Sequence, residues 1–154
     1  MWKSLSGRPV SDLHGQIRAL LASRERVIHV GTDSKQRGAH TDYVTVIAIV
    51  APGHGGRIFY KRVRTARSRS LSHKLFQETE MSVTVANELH QVGLRRIVVH
   101  VDANEDLRHQ SSKYVQALAG MVVGYGFQVR VKPDSWCATH VADFVVNERH
   151  QRVA

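Results

Sequence analysis

Cysteine is almost missing from this chain, and long apolar runs and acidic charge are also scarce. The single cysteine, Cys137, can form no intramolecular disulfide and cannot supply a cysteine-based zinc site. A reducing cytoplasm suits such a chain. The most apolar run, Val44 to Ala51, is far too short to span a bilayer. The opening residues, MWKSLSGRPVSDLHGQ, hold no apolar stretch of the signal-peptide kind, so export is not expected. Internal repeats, low-complexity tracts and dividing linkers are also lacking. The 154 residues are therefore expected to make one domain, long enough for a real core.

Acidic residues number 13 against 22 lysines and arginines, giving a formal charge of +9. With a pI near 10.3, that excess points to a polyanionic partner, nucleic acid first of all. The excess is concentrated. From Lys61 to Lys74 the chain reads KRVRTARSRSLSHK, with Lys61, Arg62, Arg64, Arg67, Arg69 and Lys74 and no acid among them. Such a strip can track a phosphate backbone, each cation displacing a condensed counterion. It can equally be a solvated edge strand whose charges discourage aggregation. No aromatic residue interleaves it after Tyr60, so base stacking is not indicated there.

Hydrophobic periodicity divides the chain into alternating strands and helices. Residues 11–24 read as an amphipathic helix with Leu13, Ile17, Leu20 and Leu21 on one face and Ser11 or Asp12 as its cap. Strand-like runs follow at 27–33, 43–51 and 57–65, joined by turn-rich linkers at 34–42 and 52–56 that suit antiparallel hairpins. A long helix is predicted over 70–91, stopped by Gly93. Then come a strand over 95–102, a polar loop, a helix over 112–124, a strand over 127–132 and a last helix over 136–151. Gly120 and Gly124 would let the 112–124 helix lie close against its support. The order implies an α/β fold with a mixed sheet. The helix between the first and fourth strands acts as a crossover, so those two strands can lie parallel and adjacent.

Four carboxylates stand at telling places in that order. Asp33 closes the run Val27-Ile28-His29-Val30-Gly31-Thr32, and Asp102 follows Ile97-Val98-Val99-His100-Val101. Both would stand at the carboxyl ends of neighbouring parallel strands, where open α/β sheets bind ligands. On the long helix Leu75, Glu78, Ser82, Val85, Ala86 and Leu89 share one stripe, so Glu78 faces the sheet while Glu80 faces solvent. On the last helix Cys137, Val141, Phe144, Val145 and Glu148 form the packing stripe. Beside it Trp136, His140, Asp143 and Asn147 form a polar one. Taken singly, Asp33 reads as a turn residue, Asp102 as the start of an Asx-turn, and the other two as solvated helix carboxylates. Together they describe acids brought from two strands and two helices to one spot. Two carboxylates 4 Å apart repel by about 4 kcal/mol at an effective dielectric near 20. Four of them would take up protons or bind cations, and oxygen-only ligands favour Mg²⁺ or Mn²⁺ over Zn²⁺.

The segments VGTDS, KLFQETEMS, VHVD, GMVVGYGF and VKPDSWCATHVAD together resemble the small bacterial YkuK family, grouped with ribonuclease H-like proteins. The resemblance covers about residues 3–148. It implies a ribonuclease H-like mixed five-stranded sheet, order 3-2-1-4-5 with strand 2 antiparallel and helices on both faces. It also implies that Asp33, Glu78, Asp102 and Asp143 are catalytic metal ligands, from the first strand, first long helix, fourth strand and last helix. The first strand carries Asp-Ser-Lys where DEDD exonucleases have Asp-x-Glu, which disfavours that branch. The loop after Asp102 lacks a glycine expected in relatives.

The expected activity is metal-dependent hydrolysis of phosphodiester bonds in RNA, an RNA–DNA hybrid or structured DNA. Two Mg²⁺ or Mn²⁺ ions, roughly 3.5–4 Å apart, would activate water and stabilise the leaving oxygen. His140, or else His100, would shuttle a proton, and the 61–74 cations would hold phosphates. The alternative is a nucleic-acid-binding protein that keeps the fold without cleaving.

Overall fold

The computed structural model describes residues 1–22, 25–51, 53–106 and 108–148. Six strands form one mixed sheet, and its helices lie on both faces. The strands are β1 (Lys3–Ser4), β2 (Val27–Arg37), β3 (His40–Val50), β4 (Gly56–Ala66), β5 (Ile97–Asn104) and β6 (Gln128–Lys132). The helices are α1 (Leu13–Ala22), α2 (Leu71–Gln91), α3 (Val115–Gly124) and α4 (Asp143–Asn147). Sheet order is β1-β4-β3-β2-β5-β6. The five longer strands keep the order expected from the sequence, with the middle member of the β2-β3-β4 meander antiparallel to both neighbours and β5 parallel to β2. The sixth strand, β1, is an addition. It pairs only Lys3 and Ser4 with Tyr60 and Phe59, and two residues carry no readable alternation.

Alternation along β2 sorts its side chains between the two faces. Ile28 and Val30 pack with Ile17 of α1, Val85, Ala86 and Leu89 of α2, and Leu118 and Val122 of α3. Across the sheet, Val44, Val46 and Ala48 of β3 meet Cys137, Ala142, Val145 and Val146. Gly31 sits on this second face. A Cβ there would lie 2.6 Å from the backbone nitrogen of Ala138 and 2.8 Å from the carbonyl carbon of Cys137, so only glycine admits the last helix so close.

Three readings differ from expectation. The linker predicted over 34–42 is mostly strand: β2 continues to Arg37, β3 starts at His40, and Gly38 supplies the positive φ of 60° that the tight turn requires. The polar residues there are not loop-like, because Ser34 and Asp42 are buried and partnered. Gly120 and Gly124 face open space, so close approach is not their role. Leu118 and Val122 instead carry the packing of α3. The last helix begins with a π-helical stretch, Cys137–Ala142, before α4. The wider turn shifts its phase: Ala138, Ala142, Val145 and Val146 are buried, whereas Phe144, expected inside, is 54% exposed. The end of that helix expected at 149–151 lies outside the described residues, as do positions 23 and 24 of the first.

Candidate metal centre

Parallel pairing of β2 with β5 runs from Ile28↔Ile97 to Gly31↔His100 and stops. Asp33 and Asp102 each stand two residues beyond that last pair, on the same face, where the two strands part. Helix α2 is started by Ser70, whose Oγ accepts the N–H of His73. Two turns on, it delivers Glu78 to the same opening. Carboxylate oxygens of Asp33, Glu78 and Asp102 lie within 4.8 Å of one another. Glu78 and Asp33 are buried, at 4% and 6% exposure, while Asp102 is half-buried. Glu80 faces solvent, as the helix phase requires.

Asp143 opens α4 and is exposed. It is outside the 4.8 Å group but stands near enough to Asp33 to help raise that carboxyl's pKa. Its own Oδ1 accepts the side-chain amide of Asn147 at 3.0 Å. His140 is exposed one turn earlier, and its carbonyl accepts the backbone N–H of Asp143. The other candidate for proton transfer, His100, is sealed. Its Nδ1 accepts the backbone N–H of Cys137 at 3.2 Å, so its Nε2 carries the proton and donates to Nδ1 of His29 at 2.9 Å. The indole of Trp136 packs on both rings. Burial, and the charge of Arg130, hold both imidazoles neutral, with pKa values pushed down to about 4 for His29 and about 3 for His100. This buried pair ties the first turn of the last helix to the sheet.

The acids bear the cost of crowding. Burial, then the Asp102 charge, raises Asp33 to about 7. Burial, then Asp33, raises Glu78 to about 8, against the opposing pull of Lys74 and a hydrogen bond from Ser34. The hydroxyl of Ser34 donates to Oε1 of Glu78 at 2.6 Å. Such a set offers hard oxygens only, and it holds protons near neutral pH that a bound dication would release. The residues present therefore fit Mg²⁺ or Mn²⁺.

Several neighbours of the acids escaped the sequence reading. Lys132 Nζ lies 2.8 Å from Oδ1 of Asp102, and the Thr139 hydroxyl donates to the same oxygen at 3.3 Å. Lys35 donates to Oδ1 of Asn147 at 2.7 Å. Ser34 was foreseeable: once α2 is known to cover one face of β2, the residue after Asp33 must point at that helix. Lys132 needed the β5–β6 register, which brings it opposite Asn104.

The cations of the 61–74 segment are dispersed. Lys61 faces the α2 side, its ammonium 5.2 Å from the Trp2 ring. Arg62 and Arg64 point to the other face. There Arg62 donates to the Val145 carbonyl at 2.6 Å, and Arg64 pairs with Asp42 at 2.7 Å. Arg67 donates to the Gly38 carbonyl, and Arg69 is exposed just ahead of α2. Within this segment only Lys74 reaches the acids, 3.9 Å from Glu78.

Among solved structures the chain is similar to RNase H1 from the halophilic archaeon Halobacterium salinarum NRC-1. That likeness has 16% identity and a TM-score of 0.47, covering 80% of this chain and 97% of the other. It is also similar to the N-terminal RNase H domain of a Mycobacterium tuberculosis protein solved as a fusion with maltose-binding protein. There the identity is 11% and the TM-score 0.38, covering 84% of this chain and all of the other. No curated protein matches the chain. A family model described as ribonuclease H-like matches residues 11–146. Since that span opens just before α1 and takes in all four acids, the chain belongs to the ribonuclease H-like family.

Proposed function

We propose that this protein is a metal-dependent nuclease that hydrolyses phosphodiester bonds in RNA, an RNA–DNA hybrid or structured DNA. We propose further that it acts as a single cytoplasmic domain. The observation that carries the reading is the convergence of Asp33, Glu78 and Asp102 within 4.8 Å at the parting of two parallel strands. Those three, with Asp143 at the rim, would hold Mg²⁺ or Mn²⁺. When bound, the metal supplies Lewis acidity toward a phosphoryl oxygen and a water of lowered pKa.

The chain's own groups do the rest. Ser34 orients Glu78 through the 2.6 Å hydrogen bond, and Thr139 and Lys132 orient Asp102. His140, exposed one turn ahead of Asp143, is assigned proton transfer to the leaving oxygen. Of the basic segment, Lys74 and the exposed Arg69 stand nearest the route a strand would take to the acids, and Lys61, Arg62, Arg64 and Arg67 add to the surrounding positive field.

The test is a panel of end-labelled hybrids, single strands and junctions incubated with Mg²⁺ or Mn²⁺. At least one substrate should be cut, and Asp33→Asn should slow cleavage by about a thousandfold, the equivalent of about 4 kcal/mol of lost transition-state stabilisation. Binding of the uncut substrate should survive the substitution and weaken steeply with salt. Salt-sensitive binding with no cleavage under either ion would leave the non-catalytic alternative standing.

A further inference from the structure

The acids of the centre do not stand alone, because three of the four are tied to a lysine. Lys74 lies 3.9 Å from Glu78, and Lys132 lies 2.8 Å from Asp102. Lys35 reaches Asp143 through Asn147, by bonds of 2.7 and 3.0 Å. With all four carboxylates ionised, as a bound dication requires, the three nearby ammonium groups leave one net negative charge. A pair of dications would turn that into a strong positive excess, whereas one brings the site close to neutral before the phosphate arrives.

Lys132 is the best placed of the three. Its side chain is only 35% exposed, and β6 holds its backbone opposite Asn104, at the end of the strand that carries Asp102. Oδ1 of Asp102 accepts both its ammonium and the Thr139 hydroxyl, so that oxygen is committed. A Mg²⁺ ion sits about 2.0–2.1 Å from a ligand oxygen, so an ammonium 2.8 Å from Oδ1 takes the space an ion on that oxygen would need. Asp102 is left with Oδ2 to offer.

We infer that this centre takes a single divalent cation and that Lys132 supplies the positive charge that a second ion would otherwise bring. The inference rests on the metal-dependent reading above and replaces the pair of ions expected from the sequence with one ion and one fixed ammonium. Lys132 is then a positioning residue for Asp102 and a counter-charge for the phosphate.

Counting Mn²⁺ bound per full-length chain, from the loss of the free-ion electron paramagnetic resonance signal on titration, tests this without reference to activity. The unaltered protein should bind one ion, and so should Lys132→Arg, which keeps the charge. Lys132→Met and Lys132→Gln should each bind two while melting as cooperatively as the parent. Two ions in the unaltered protein, or one in both neutral variants, overturns the inference and leaves the metal-dependent reading intact. If the unaltered protein binds no ion and Asp33→Asn behaves identically, the metal-dependent reading goes down with it.

Discussion

Two pairs of buried ionisable side chains act on stability in opposite directions. Asp33 and Glu78 have folded-state pKa values of about 7 and about 8, raised from ordinary values of 3.8 and 4.5. The folded chain therefore binds protons that the unfolded chain has released. Stability from this pair is full below about pH 4 and is lost as pH rises through 7 and 8. His29 and His100 are depressed from 6.5 to about 4 and about 3. Their contribution is full above pH 6.5 and is lost as pH falls toward 3. With divalent ions chelated, thermal melts should thus show a plateau of greatest stability between about pH 4.5 and 6.5, falling on either side. Glu78→Gln should flatten the alkaline limb and leave the acid limb alone. Adding Mg²⁺ should raise the melting temperature more at pH 9 than at pH 6, because fewer protons must be displaced from Asp33 and Glu78. A melting temperature that climbs steadily from pH 5 to 8 in chelator would contradict this account. At this scale the sequence was informative about which acids matter, because helix phase separates Glu78 from Glu80 and strand parity puts Asp33 and Asp102 on one face. It could not announce Lys132 or Thr139. Their partnership with Asp102 depends on a register between strands and on a turn whose widening no periodicity betrays.

The last helix is the element on which the centre's geometry turns. It presses its first turns against Gly31, where the space for a methyl group is already filled by the backbone of Cys137 and Ala138. Neither neighbour is a side chain that could swing aside. Gly31→Ala should therefore push strand and helix apart and destabilise the fold by about 1–3 kcal/mol, the usual range for overpacking. Chemical denaturation would measure that loss directly. Because the same helix carries Asp143 to Asp33, the variant should also lose Mg²⁺-dependent stabilisation in excess of its loss of stability. An unchanged metal response would mean that Asp143 is independent of this contact. The elements themselves were largely readable: α2 lies within a residue of its expected start and stop, and the five long strands appear in the expected order. Readings failed where tertiary packing outvoted local composition. Ser34 to Arg37 look like a polar loop yet form strand, since Ser34 finds Glu78 and Arg37 finds Asp42. The stripe assigned to Phe144 assumed regular helical rotation, and the π-helical stretch over Cys137–Ala142 displaces it.

For the molecule as a whole, the local density of charge along the sequence does not survive folding. The run from Lys61 to Lys74 looked like a continuous track, but strand alternation sends Lys61 to one face and Arg62 and Arg64 to the other, and several of its guanidinium groups hold the protein's own carbonyls and carboxylates. What remains is a basic body whose lysines gather around a recessed acidic centre. Its sheet is finished unevenly. Along the outer side of β4 only Phe59 and Tyr60 are capped, by Lys3 and Ser4, with Trp2 laid under the Lys61 ammonium. Arg62 and Arg64 beyond them are charged, which discourages a neighbouring chain from pairing there. Deleting residues 1–10 should bare a hydrogen-bonding margin at Phe59 and Tyr60. Sedimentation should then reveal more self-association than in the parent, most at high salt where the arginine charges are screened; a truncated chain that associates no more than the parent at any salt would show that Lys3 and Ser4 do not guard the margin. Ten residues of ragged appearance would in that case be a hem: cut it, and each copy becomes cloth that can be sewn to the next.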